Sequence, residues 1–364
     1  MKICIDVRSA LKQKTGIGYY TLNLVNSLAK IDKENRYYLY SKIRLFNHKK
    51  HPPKLPGRNF KHIIDRFGSS FNFALKKIDI FHTSSYVLPR LKASKLVVVV
   101  HDVIHKAYPK GHTQETIEKI DKDLANILKD VDRVIVISDT TRKDLLKFYD
   151  FPEDKVKLIY PGVNVDFSFE SHIDPYRILK KYKIKNPFIL FVGTLEPRRN
   201  IEGLIKAYKI LKDNFNLIHQ LVIVGMRGWL YNSIFNLTDK LGLRESIVFI
   251  GYIPREDLSC FYKLADVFVY PSFYEGFGMP ILEAFSFGAP VVTSAVSATA
   301  EVSSDAALLV NPEKEEDIAE AIRKVITDKA LRDNLIERGK KRLKDFSWEK
   351  SAERTLEVFK ECVE

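Results

Sequence analysis

Cysteine is scarce. The 364-residue chain holds three, Cys4, Cys260 and Cys362, with no paired spacing and no histidine cluster beside them. Neither a disulfide framework nor a zinc site follows from that pattern, and a reducing, cytosolic compartment fits better. No stretch approaches the ~20 apolar residues that a membrane-spanning helix needs. Asp6 and Arg8 interrupt the apolar run of the first residues, so no secretory leader is expected. Three reactive signatures are missing as well: the G-x-x-x-x-G-K-[ST] phosphate loop, the G-x-S-x-G nucleophile elbow and the H-E-x-x-H zinc helix. Glutamine is rare beside abundant lysine, a bias found in heat-adapted proteins.

What remains is the composition of a globular protein, 45% hydrophobic and 29% charged. At this length two domains are expected, each able to enclose its own core. The charge is unevenly placed. Residues 1–170 carry 31 Lys+Arg against 19 Asp+Glu, a net of +12, and the remainder carries 28 against 27, so nearly all of the +13 lies in the first half. Residues 42–77 hold ten basic side chains and only Asp65 as an acid. Such a surface is read as one that docks on anionic lipid or grips a pyrophosphate-linked acceptor, with a plain solvated face as the alternative. No nucleic-acid motif accompanies the charge, and nucleic acid is not expected as a partner.

Apolar runs alternate with helical patterns along the chain. Strands are expected at 2–7, 36–41, 79–81, 96–100, 133–137 and 156–160, with helices at 19–30, 113–129 and 139–149. A basic, proline-containing segment spans 42–66. Pro161-Gly162 closes this half, and 166–187 reads as a polar linker and an approach helix. The second series has strands at 188–192, 221–224, 247–250, 267–270, 290–293 and 307–310. Its helices fall at 200–212, 231–241, 255–264 and 280–287, and a helical tail runs from 315 with a break at 343–348. Alternation of this kind predicts α/β architecture with parallel, doubly wound sheets.

The chain is organised around residues 267–283, where a buried strand leads through a loop with Gly276 and Gly278 into a helix expected to begin near Pro280. Glycines let a backbone approach a ligand, and helix-start amides aim donors at oxygen-rich groups. Glu275 and Glu283 flank this loop, and each carboxylate can accept from two neighbouring hydroxyls of a sugar or ribose. Helix-dipole preference alone could place Glu283, but not Glu275. A second candidate is Gly193-Thr194-Leu195-Glu196-Pro197-Arg198-Arg199-Asn200, between the 188–192 strand and a helix that Asn200 could cap. Two guanidinium forks there suit a diphosphate and the charge that develops as it departs. His101, with Asp102, stands at the end of the 96–100 strand, and His82 at the end of another; both can equally be structural. The loop with Gly16 and Gly18 before the first helix is a weak signal, lacking the third glycine of a dinucleotide fingerprint.

Glu275 to Glu283 reads as an E-x7-E motif, and Tyr-Glu-Gly-Phe-Gly-Met-Pro-Ile-Leu-Glu-Ala resembles family four of the retaining glycosyltransferases. The resemblance extends in order and spacing over nearly the whole chain. It implies the GT-B fold, two Rossmann-like domains facing across a cleft that closes against water, with a terminal helix crossing back to the first. The domains would be 1–168 plus 347–364, on the acceptor side, and 169–346, on the nucleotide-sugar side. By resemblance, His101, Arg198, Arg199 and Glu275 are catalytic. Gly16, Gly18, Gly193, Thr194, Gly225, Tyr252, Ile253, Phe277, Gly278, Met279 and Glu283 then line the substrates, Gly225, Tyr252 and Ile253 bordering base and ribose. Arg199 stands where the similar subgroup has lysine, and Tyr19 where many relatives have arginine. The implied activity is retaining, metal-independent hexosyl transfer, leaning to mannose from GDP-mannose, onto a glycan or lipid-linked acceptor in cell-surface polysaccharide synthesis. The donor sugar nucleotide is a substrate, and no cofactor is expected. Alternatives within the fold are a synthase-type transferase using UDP- or ADP-glucose and a nucleotide-sugar epimerase. The expected location is cytoplasmic, peripheral on the inner face of the membrane. Asp121-Lys122-Asp123 and Asp130-Val131-Asp132 lie in or at the end of a helical pattern and read as solvated charges rather than a D-x-D metal site.

Overall fold

A computed structural model of the chain describes residues 1–11, 16–43, 51–65, 78–89, 93–163 and 174–364. They form two compact units, one made of residues 1–107, 112–162 and 346–364, the other of residues 108–111 and 163–345. The expected boundary between 168 and 169 lies outside the described residues, as do 44–50 and 66–77 of the basic segment.

The first unit contains β1 (Lys2–Asp6), β2 (Arg36–Lys42), β3 (Phe60–Asp65), β4 (Ile78–Thr83), β5 (Ala93–Val100), β6 (Arg133–Val136) and β7 (Val156–Leu158). Its helices are α1 (Gly16–Ile31), α2 (Ile104–Ala107), α3 (Gln114–Asp130) and α4 (Asp139–Phe148). The strands make one sheet in the order β3-β2-β1-β4-β5-β6-β7, every pairing parallel. Helices cover such sheets on both faces, so central strands are apolar on both sides. Val97 to Val100 are accordingly all fully buried. Leu124, Ile127 and Leu128 of α3 and Leu145 of α4 pack on Val98, Val100, Val134 and Val136. Thr113 and Ser138 cap α3 and α4, accepting from the N–H of Thr116 and Thr141.

Two expectations for this unit change. Gly16 and Gly18 are not in a loop ahead of the helix; they form the first turn of α1. A Cβ on Gly18 would sit 2.8 Å from the Ser9 carbonyl oxygen, so glycine is there for close packing. The basic segment also hides a strand. Phe60 of β3 stacks on Tyr37, ring centroids 4.5 Å apart, while Lys61 and His62 lie along an edge where charge discourages pairing with other chains.

The second unit contains β8 (Phe188–Val192), β9 (Gln220–Val224), β10 (Ile247–Gly251), β11 (Val267–Tyr270), β12 (Val291–Ser294) and β13 (Ala307–Val310). Its helices are α5 (Pro175–Lys181), α6 (Ile201–Phe215), α7 (Asn232–Lys240), α8 (Arg255–Leu264), α9 (Met279–Ser286), α10 (Ser297–Ser303), α11 (Glu315–Thr327) and α12 (Lys329–Arg342). The sheet runs β10-β9-β8-β11-β12-β13, again parallel throughout. Helix α10, Ser-Ala-Thr-Ala-Glu-Val-Ser, was not expected from the sequence, and α9 starts one residue before Pro280, which occupies its first turn.

The last helix, α13 (Trp348–Glu361), belongs to the first unit and packs on α1. Ser347 caps it, Phe359 lies against the His82 ring, and Glu361 pairs with Lys157 at 2.8 Å. A Cβ on Gly162 would come within 2.1 Å of the Trp348 nitrogen, so the chain can pass there only as glycine. Among the described residues no helix is long and apolar enough to cross a membrane.

Candidate active site

In an open parallel sheet, ligands gather beyond the carboxyl ends of the strands where the order reverses. In the second unit that point lies between β8 and β11, which are adjacent although β9 and β10 intervene in the chain. The 193–200 loop follows β8, and the 271–278 loop follows β11. Both candidate segments therefore meet at one place for a topological reason.

The β8 loop is shaped by three residues. A Cβ on Gly193 would lie 3.1 Å from Arg199 Cδ, so the bare glycine leaves room for that side chain. Pro197–Arg199 makes a single 3-10 turn, and Asn200 then takes a left-handed conformation (φ 54°) that asparagine tolerates well. From there Asn200 Oδ1 accepts from the Gly203 N–H at 3.2 Å, capping α6, while Nδ2 donates to the Pro312 carbonyl at 2.6 Å. The Phe273 N–H donates to the Arg198 carbonyl at 2.8 Å, tying the two loops together.

Four charged side chains interlock here. Arg198 Nη1 donates to Glu275 Oε2 at 2.6 Å, and its Nη2 lies 2.6 Å from Glu196 Oε1. Arg199 Nε donates to the same Glu196 oxygen at 3.3 Å. Arg199 Nη1 stands 3.0 Å from Glu275 Oε1, close enough for an ion pair but at an angle that makes no hydrogen bond. The Arg199 guanidinium also covers the Tyr270 ring at 5.2 Å. Glu275 further accepts from Tyr270 Oη at 2.9 Å and Ser272 Oγ at 3.0 Å. Burial pushes the Glu275 carboxyl up, yet Arg199 and Arg198 together with these hydrogen bonds outweigh it and hold it below the usual carboxylate range. Burial lowers Arg199 from its ordinary value against the pull of Glu275.

Glu283 sits apart from that cluster. Gly278, left-handed at φ 103°, turns the chain into α9, and Glu283 comes one turn into the helix. Its carboxylate accepts from Arg255 Nη2 at 3.2 Å and Tyr262 Oη at 3.1 Å, both from α8. Desolvation dominates, and the carboxyl is raised despite Arg255 and Tyr262. Phe277 is buried, and Gly278 and Met279 bring the amides of the helix start to the loop.

The remaining candidates differ in kind. Gly225 packs so tightly that a Cβ would lie 1.8 Å from the Gly193 carbonyl oxygen, which ties the β8 and β9 loops together. Thr194 is half-buried, Ile253 buried, and Tyr252 exposed at 62%. Glu196, buried at 4%, lies within the 193–200 segment singled out by sequence but was given no role there. Its place in that segment, two and three positions before Arg198 and Arg199, was the available signal.

In the first unit, His101 follows β5 and meets Tyr20 edge-on, ring centroids 4.9 Å apart. Its carbonyl accepts from Thr141 Oγ1, and its buried Nε2 has no hydrogen-bond partner among the described residues. Burial lowers the imidazole to about 4. His82 is likewise lowered to about 4 by burial and packs on Phe359, a structural placement.

Residues 15–167 match the family described as Glycosyltransferase Family 4, and residues 177–342 match Glycosyl transferases group 1. The chain is 34% identical over 283 residues to O-antigen chain mannosyltransferase B of Escherichia coli, covering 77% of this chain and 74% of that protein. Two solved structures share the fold at low identity. Sucrose-phosphate synthase from Thermosynechococcus elongatus superposes with a TM-score of 0.75 at 21% identity, covering 99% of this chain and 98% of the other. HepE of Anabaena, in complex with UDP and glucose, gives 0.76 at 17% identity over 99% of this chain and 100% of the other.

Proposed function

Because this chain belongs to glycosyltransferase family 4 and has the GT-B fold, we propose that it is a retaining, metal-independent hexosyltransferase. Its donor is GDP-mannose, and its acceptor is a growing glycan or lipid-linked saccharide of a cell-surface polysaccharide such as an O-antigen. The observation that carries the reading is the pair Arg198 and Arg199 held against Glu275 at the switch point, with Glu283 on the following helix.

In this account Arg198 and Arg199 take the diphosphate and offset the charge that builds as it leaves, which is why no metal ion is invoked. Glu283 holds the ribose hydroxyls. The main-chain amides of residues 277–279 and the Glu275 carboxylate hold the hexose. That carboxylate already has Arg198, Arg199, Tyr270 and Ser272 around it, so a sugar hydroxyl reaches it only by exchange with one of them. His101, uncharged at neutral pH, contacts the transferred sugar as a neutral hydrogen-bonding group. Tyr252 and Ile253, with Gly225, border the base. The mannosyl assignment leans on the named activity of the Escherichia coli relative.

The second reading, a UDP- or ADP-glucose-dependent transferase, is favoured by the UDP and glucose bound in the Anabaena structure. Purified protein incubated with GDP-mannose, UDP-glucose and ADP-glucose, with turnover followed by nucleotide release and anomeric configuration by NMR, separates the two. GDP release from GDP-mannose with an α-linked product, undiminished by EDTA, is the expected result. Turnover of a UDP- or ADP-sugar alone replaces the donor assignment, and conversion of a sugar nucleotide without acceptor points to an epimerase. Peripheral membrane contact through the basic segment, on the cytoplasmic face, is part of the proposal and is read by sedimentation with anionic vesicles.

A further inference from the structure

We propose that Glu196 is a built-in competitor for the diphosphate: it occupies the two arginines while the site is empty and is exchanged for phosphate oxygens when a nucleoside diphosphate binds. The inference rests on the reading that Arg198 and Arg199 are the phosphate groups' partners. Both arginines converge on the single oxygen Oε1 of Glu196, at 2.6 and 3.3 Å. The two carboxylates in the cluster are not equivalent. Glu275 is also anchored by Tyr270 and Ser272, and its own N–H donates to Ser297 Oγ at 3.1 Å. Glu196 has Arg198 and Arg199 as its only side-chain partners among the described residues. Its backbone is the extended residue (φ −148°) ahead of the 3-10 turn, from which a side chain can swing without disturbing α6.

With two carboxylates the cluster is formally neutral, and the guanidiniums are kept oriented and paired rather than left as bare buried cations. A diphosphate presents several anionic oxygens and displaces the more weakly anchored carboxylate. The exchange costs part of the phosphate affinity, and it returns on product release, when Glu196 re-pairs with the arginines and expels the nucleoside diphosphate. Glu196 is thus a positioning residue that trades product affinity for turnover.

The test is calorimetric titration of GDP and UDP into wild type, Arg198→Ala and Glu196→Gln, with guanosine and uridine as phosphate-free controls. Glu196→Gln is expected to bind the nucleoside diphosphate about tenfold more tightly, with nucleoside affinity unchanged and with both KM for the donor and kcat lowered. Unchanged or weaker diphosphate binding in Glu196→Gln overturns the proposal. If wild type binds neither diphosphate, or Arg198→Ala binds as well as wild type, it is the reading of the arginines that fails instead. Should Glu196→Gln fold poorly, a crystal of wild type with nucleoside diphosphate decides: Glu196 moved off Arg198 supports the exchange, and a separation still near 2.6 Å overturns it.

Discussion

Replacing Glu275 with glutamine tests whether the cluster is held by charge. The amide keeps an oxygen to accept from Tyr270 and Ser272 but removes the anion that faces Arg198 at 2.6 Å and Arg199 at 3.0 Å. Breaking a buried pair from one side costs about 3–5 kcal/mol, because the partner is left as an uncompensated charge. Here Glu196 still pairs with both arginines and leaves only one of their two charges uncompensated, so the cost falls at the low end, about 3 kcal/mol. For a unit of this size each kcal/mol moves the midpoint by about 2–4 °C, so the second unit should melt about 6–12 °C lower at pH 7. Differential scanning calorimetry reads this directly. The pH dependence gives an independent check. A carboxyl held below its ordinary range stabilises the fold above that range and loses the contribution as pH falls through its folded value. The gap between wild type and Glu275→Gln should therefore narrow as the pH drops below the usual carboxylate range. A variant melting within about 2 °C of wild type at pH 7, no more than the loss of a single kcal/mol produces, would refute the argument. So would a wild-type rate of sugar transfer, which removes the sugar-holding role.

Two further outcomes follow from the first unit. His82 and His101 are both lowered by burial to about 4, so their stabilisation is complete above about pH 6.5 and is lost as pH falls from there towards 4. At pH 4 the loss should be on the order of 3 kcal/mol per histidine, roughly halved in a His82→Asn variant measured against its own pH 7 value; a midpoint flat between pH 7 and 4.5 contradicts it. Gly162→Ala places a methyl 2.1 Å from the Trp348 nitrogen, so α13 should loosen at a cost of about 3 kcal/mol. Trp348 emission should shift to the red and the C-terminal residues should become open to protease. Unaltered emission and protease resistance would show that the contact can relax.

Most of the architecture was legible because buried parallel strands read as continuous apolar runs. Phe188–Val192 and Val267–Tyr270 have no polar residue to blur their limits. β3 was hidden because an edge strand carries Lys61, His62 and a flanking proline-rich segment, the signals of a loop. α10 was hidden because its small and hydroxylated residues show no amphipathic period. Gly16 and Gly18 mimic a loop, whereas the close approach of Ser9 explains the second of them inside a helix. The site divides in the same way. Glu275, Glu283, Arg198 and Arg199 could be named from local motifs. That Arg198 and Arg199 would meet Glu275 depends on β8 and β11 being neighbours, which is a property of sheet order and not of any window of sequence. Glu196 was missed for the corresponding reason: the arginines stand two and three positions further along the chain, and nothing local says they fold back on it.

The most direct measurement is a crystal structure of the protein with GDP or UDP. Diphosphate oxygens within hydrogen-bonding distance of the Arg198 and Arg199 guanidiniums, and ribose hydroxyls on Glu283, are the predicted result. Nucleotide density remote from Glu283, with both arginines still closed on Glu196 and Glu275, would contradict the account.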